Sequence, residues 1–148
     1  GEDILLEDKS IDKLKMAERI FSDRQLLEKV NNIIHPAVEE YILNEIRIER
    51  KKQEIDVFFL EAALLIEAGY VPYLDELWYV FGKKEIRKKR LKESRGYSDE
   101  KIEQIMESQL SDDEFRKNAA VVLNNSCDFE MTLEQIKTEC MRLGIWKK

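Results

Sequence analysis

IDVFFLEAALLIEAG, residues 55–69, opens with a compact apolar run and continues into a patch of alanines and leucines flanked by acids. The run from Ile55 to Leu60 holds Val57, Phe58 and Phe59. Branched and aromatic residues over that length predict a strand buried on both faces. Lys51 and Lys52 end the solvated element before it. Past the run come Glu61, two alanines, Leu64, Leu65, Ile66, Glu67 and Gly69. Acids just beyond a buried strand matter, because ligands of open α/β sheets sit outside the C-terminal strand ends. The same spacing also fits a strand running into an amphipathic helical turn whose acids are merely solvated.

Upstream, Ser10 is placed to cap a helix over Ile11–Phe21, with Leu14, Ala17, Ile20 and Phe21 on one face. Ser22 or Asp23 caps a second helix carrying Leu26, Leu27, Val30, Ile33 and Ile34. Pro36 is expected to interrupt it at His35 and to open a third helix reaching about Arg50. Downstream, ELWYVF at 76–81 reads as a second buried strand closed by Gly82. A helix from about Lys83 to Lys92 follows, with a break at Ser94-Arg95-Gly96. Ser98 opens the next helix and Ser111 a short one ending near Asn118. Val121 to Leu123 forms a third strand, closed by Asn124-Asn125-Ser126. Thr132 is expected to cap a last helix over Leu133–Leu143, stopped by Gly144. Helices alternating with short apolar strands make this an α/β domain with a parallel sheet.

The totals narrow the function. The 148 residues suffice for one domain with a core, and no apolar run approaches the roughly 20 residues of a membrane span. A net charge of -6 gives no global attraction to nucleic acid or anionic membranes. Two cysteines, Cys127 and Cys140, and one histidine, His35, rule out a disulfide framework, a cysteine-rich zinc site and a multi-histidine metal centre. Reduced thiols in the cytoplasm are the expectation, with no metal ligands assigned.

Against that acidic background, Lys83, Lys84, Arg87, Lys88, Lys89, Arg90, Lys92 and Arg95 crowd one helix. Such a cluster is a candidate polyphosphate site, since the arginine fork matches phosphate oxygens. A solvated charged face is the alternative. Repulsion between like charges four residues apart speaks for an anion, and the break at Gly96 would let the helix end act as a flap. His35-Pro36 reads as a structural element or as a ligand contact. Asn124-Asn125-Ser126 reads as a base or ribose contact or as a turn. The five glycines never cluster, so these residues contain no G-x-x-x-x-G-K-[ST] loop and no G-x-G-x-x-G.

Taken in order, the segments resemble dephospho-coenzyme A kinases. IDKLKMAERIFSDRQLLEKVNNIIHPAV is similar to that family's segment ending in Asn, two apolar positions and His-Pro. ALLIEAG resembles its Leu-Leu-apolar-Glu loop, and ELWYVF the strand after it. RLKESRGYSDEKIEQIMESQ resembles its arginine-bearing lid ending in Gln, and AAVVLNNS its last strand. The likeness runs from about Gly1 to Leu143. It departs from the family at Ala63, where Pro is usual, at Lys13 for Arg, at Ala120 for Asp and at Cys127 for Gly.

The resemblance implies a P-loop kinase-like parallel sheet with a helical substrate-binding insert and a lid. It assigns 10–50 to the coenzyme A side, 83–110 to the lid, and 55–82 with 111–148 to the core of one truncated domain. It implies transfer of the γ-phosphate of ATP to the 3′-hydroxyl of dephospho-coenzyme A, with ATP and Mg²⁺ as the family's nucleotide and metal. Arg90 and Arg95 would be lid arginines near the phosphates. His35, Pro36, Leu64, Leu65 and Glu67 would line the dephospho-coenzyme A side. Gln109 would support the lid and Asn125 would sit near adenine. The family's first strand and Walker loop have no counterpart here, so the chain alone is expected to be inactive and to bind neither ATP nor Mg²⁺ tightly. Strand edges left bare are expected to be covered by rearranged strands or a second copy. The competing classes are a non-catalytic nucleotide- or coenzyme-binding module or scaffold, and a nucleic-acid binder. The net charge and the lack of interleaved aromatics oppose the last.

Overall fold

The computed structural model describes residues 2–146. Two compact units divide the chain, Gly1–Phe59 and Leu60–Lys148.

The first unit is helical. A single-turn 3₁₀ segment, Glu2–Ile4, leads to an antiparallel bridge between Leu5 and Ile11. Ser10 does not cap the helix that follows. Asp8 Oδ1 accepts hydrogen bonds from the Ser10 amide at 2.9 Å and the Ser10 hydroxyl at 2.6 Å, so that side chain is engaged in its own turn. Asp12 caps α1 (Lys13–Ser22) instead, accepting from the amides of Leu14 and Lys15.

Asp23, one of the two expected caps, accepts from the amides of Gln25 and Leu26 and starts α2 (Arg24–Lys52). The expected break at Pro36 is absent, and α2 runs unbroken through it for 29 residues. Proline's φ is compatible with a helix, and what it removes is one donor and some steric room. Turns on both sides hold α2 together across that gap. The helix ends at Gln53, whose φ of 55° is left-handed and whose amide donates to the Glu49 carbonyl. Arg50, Lys51 and Lys52 occupy the last turn, where cations suit the helix dipole. α1 packs against α2, yet α2 has no buried residue among those described.

The expected strand at Ile55–Leu60 is not formed. The sheet among the described residues has two strands, and neither pairs with this segment. Without a neighbour to take its N–H and C=O groups, an apolar run gains nothing from ladder geometry. Ile55, Val57, Phe58 and Phe59 are 46, 39, 41 and 67 % exposed.

The second unit holds the sheet. β1 (Trp78–Phe81) lies parallel to β2 (Val121–Asn124), with Trp78 opposite Val121 and Phe81 opposite Asn124. The crossover between them carries α3 (Lys84–Arg95), α4 (Asp99–Glu107) and α5 (Asp112–Asn118). Gly96, at φ 62°, ends α3, and Ser98 caps α4. Ser111 and Glu114 close a reciprocal capping box on α5. Asp128, not Thr132, caps α6 (Phe129–Arg142). Thr132 sits one turn in, buried, with its hydroxyl donating to the Asp128 carbonyl at 3.3 Å.

α6 packs on β2, α5 on β1 and α3 on α4. Tyr70, Ile102, Leu123 and Cys140 form the buried centre of this unit, and Ile102 of α4 is wholly enclosed. Arg142 of α6 donates at 2.6 Å to Glu76, just before β1, and Trp78 Nε1 donates to the same carboxylate oxygen at 2.8 Å.

Candidate functional site

Both parallel strands end at one edge of the second unit, and their exits form a small mouth. On one side are Phe81, buried Gly82 and Lys83; on the other, Asn124 to Cys127. The ladder continues one step past the strands, because the Asn125 amide donates to the Phe81 carbonyl at 2.7 Å. The Lys83 amide donates to Ser126 Oγ at 2.9 Å, closing the mouth from the β1 side.

Gln135 of α6 braces the loop. Its carbonyl accepts from the Asn124 amide at 2.8 Å while its NH₂ donates to the Asn124 carbonyl at 3.0 Å. Thr132 Oγ1 lies 3.3 Å from Asn125 Oδ1, as far as from the Asp128 carbonyl, so its single proton is shared between these two acceptors. Arg90 completes the arrangement. Its Nη1 donates to the Asn125 carbonyl at 2.8 Å and its Nη2 to the Cys127 carbonyl at 3.4 Å. The structure thus brings together Arg90 and Asn125, which are 35 residues apart in sequence.

The basic helix is sorted by face. At about 100° per residue, Lys83, Arg87 and Arg90 fall on one side of α3, and Lys84, Lys88, Lys92 and Arg95 on another. The lysine side meets acids of α4. Lys84 Nζ lies 2.9 Å from Glu103, Lys88 bonds the other oxygen of the same carboxylate, and Lys92 lies 2.7 Å from Asp99. Hydrogen bonds from Lys88 and then Lys84 hold the Glu103 carboxyl below its usual pKa, and Glu103 in turn raises that of Lys88.

This corrects the expectation of uncompensated repulsion along the helix. α4 supplies the missing negative charge, and its acids could not be assigned to that role before the crossover was folded. Arg95 ends α3 on the lysine side, away from Arg90, and has no ion pair among the described residues. Gln109 lies just past α4, half-buried, its amide donating to the Met106 carbonyl at 3.4 Å.

Several neighbours of the mouth were not singled out from the sequence. The Tyr79 hydroxyl donates to Asp112 Oδ1 at 2.7 Å, and its ring stacks on Phe115 with centroids 4.8 Å apart. Burial, then the bond to Asp112, pushes the phenol up to about 12. Arg116 lies over the Phe81 ring at 4.7 Å. The phase of the basic residues along the helix was the available signal for Arg87, while Tyr79 and Asp112 carried none.

Leu64, Leu65 and Glu67 share one hydrogen-bonded turn, with no strand leading into it. The Tyr70 amide donates to the Leu65 carbonyl and the Gly69 amide to that of Ile66, a Schellman closure with Gly69 at φ 77°. Leu64 is 47 % exposed, Leu65 half-buried and Glu67 exposed. In the first unit, His35 and Pro36 lie exposed on α2. Pro36 borders a shallow depression of about 360 Å³ with Glu39, Glu40, Leu43, Asn44 and Arg47. Among the described residues no group of three or more His, Cys, Asp or Glu could hold a metal ion. Nor is any helix among them long and apolar enough to cross a membrane.

A family model described as dephospho-CoA kinase matches residues 1–130. The dephospho-CoA kinase of Dehalococcoides mccartyi is 35 % identical over 130 residues, 88 % of this chain and 65 % of that protein. That of Listeria innocua is 36 % identical over 138 residues, covering 93 % and 68 %. The chain thus spans about two thirds of the length of these curated relatives. Among solved structures, TT1252 from Thermus thermophilus superposes with a TM-score of 0.76 at 26 % identity, over 95 % of this chain and 71 % of that one. The dephospho-CoA kinase from Campylobacter jejuni gives 0.67 at 24 %, over 97 % and 71 %, a likeness of fold.

By fold, these likenesses make the molecule an α/β protein of the P-loop kinase type. The family match and the identities of the curated relatives go further than the fold. The chain belongs to the dephospho-CoA kinase family.

Proposed function

We propose that this chain carries the acceptor side and the arginine-bearing lid of a dephospho-CoA kinase, an enzyme phosphorylating the 3′-hydroxyl of dephospho-coenzyme A with ATP in the cytoplasm. The observation that carries the reading is Arg90 held over the Asn125 loop at the mouth of two parallel strands. Phosphoryl transfer depends on positioning and on compensating charge spread over the transferred group. Arg90 and Arg95 take the phosphate side, Asn125 the adenine side, and Gln109 the support of the lid. His35, Pro36, Leu64, Leu65 and Glu67 take dephospho-coenzyme A.

The 148 residues contain no G-x-x-x-x-G-K-[ST] loop, so in this reading they bind ATP weakly and do not turn over alone. The apolar side chains at 55–59 favour self-association of the isolated chain.

Calorimetry with dephospho-coenzyme A, ATP and an oligonucleotide tests the reading. The expected result is binding of dephospho-coenzyme A, weak binding of ATP and none of the oligonucleotide. Failure to bind dephospho-coenzyme A, or normal turnover in a coupled assay, would overturn it. A light-scattering mass of one monomer would remove the self-association.

A further inference from the structure

We propose that Arg87 is a further anion-binding residue at the β1–β2 mouth, taking a phosphate oxygen of a polyphosphate beside Arg90. Arg87 shares its side of α3 with Arg90, one turn earlier. Its stem lies against the strand exit: a Cβ added at Gly82 would come within 3.1 Å of Arg87 Cγ. That packing carries the guanidinium towards the place where both strands end.

Its charge is poorly met. Arg87 Nε is shielded from solvent and has no hydrogen-bond partner. The nearest carboxylate oxygen, Asp112 Oδ1, is 4.0 Å from Nη2, beyond hydrogen-bond range. That same oxygen already accepts from the Tyr79 hydroxyl at 2.7 Å. A half-buried guanidinium with a hidden, unpaired donor costs free energy unless an acceptor arrives.

The lysines of α3 offer the contrast. Lys84, Lys88 and Lys92 each lie within 3 Å of an acid of α4. Negative charge is therefore supplied to one side of the helix and left thin on the other. The thin side presents the planar fork of Arg87, the geometry that binds phosphate oxygens in pairs, beside an Arg90 whose Nη1 and Nη2 already donate to backbone carbonyls. Asp112 is then a competitor for Arg87, not its dedicated partner.

The inference rests on the kinase reading for its ligand class, and inorganic triphosphate separates the two. Titrated calorimetrically into the chain at low salt, triphosphate is expected to bind. Arg87→Gln is expected to weaken that binding about tenfold, and Arg87→Lys to fall between the two. Lys89→Gln removes the same charge from the solvent side and is expected to change it less than twofold, about the effect of an exposed charge. Asp112→Asn leaves Arg87 in place and removes its competitor, so binding should tighten severalfold. This keeps the idea testable if Arg87 variants fold poorly.

No binding by the parent chain, equal losses for Arg87→Gln and Lys89→Gln, or weaker binding after Asp112→Asn would each overturn it. Arg87-dependent triphosphate binding without any binding of dephospho-coenzyme A would sustain the anion site and remove the kinase reading.

Discussion

Arg90 uses its guanidinium on two backbone carbonyls, those of Asn125 and Cys127. Its removal should therefore act on the loop before it acts on any ligand. Arg90→Ala is expected to speed amide exchange at Ser126–Asp128 about tenfold while leaving β1 amides unchanged, read by hydrogen-exchange mass spectrometry. Tyr79 gives a second expectation. Burial and then its bond to Asp112 put the phenol at about 12. The raised value means the native state keeps its proton longer. The stability it contributes is complete below the ordinary tyrosine value of about 10 and is lost as pH climbs from there through 12. Tyr79→Phe should remove this part of the alkaline slope in denaturant titrations. Arg90 and Asn125 were both singled out by the family resemblance. Their contact was not, because it spans a crossover whose course no local pattern fixes. The partners of the lysines were hidden for the same reason.

Among the elements, α2 sets the sharpest contrast between local signal and outcome. Proline at position 36 read as a break, and the helix passes through it. An interior proline costs a helix about 3 kcal/mol relative to alanine. Pro36→Ala should raise the melting temperature of the chain, and weaker binding of dephospho-coenzyme A by that variant would place Pro36 at the substrate. The caps went partly astray for a physical reason. Ser10 and Asp12 are both good caps, and only the turn that occupies Ser10 decides between them. Asp12→Ala should destabilise by about 1 kcal/mol and Ser10→Ala by less, measured by chemical denaturation. β1, β2 and the helices after them were legible because their signals are local: apolar runs, Ser98 and Ser111 as caps, Gly96 as a stop.

For the whole molecule, the run at 55–60 is the instructive failure. Its composition is that of an interior strand, but a strand also needs a neighbour, and composition cannot report whether one is there. Leu14, Ile33, Tyr41 and Phe59 are 78, 71, 66 and 67 % exposed. Exposed apolar surface of this kind binds hydrophobic dyes and drives association. The chain should enhance anilinonaphthalene sulfonate fluorescence, and its scattering mass should rise with concentration; a dark, concentration-independent monomer would contradict both.

The two thiols are unequal in a useful way, Cys127 open to solvent and Cys140 enclosed on the buried side of α6. An uncharged maleimide fluorophore would therefore attach at a single position, two residues from Asn125, without any engineered change. Its emission would then report occupancy of the strand exits in real time, turning an unusual residue of that loop into a built-in optical probe.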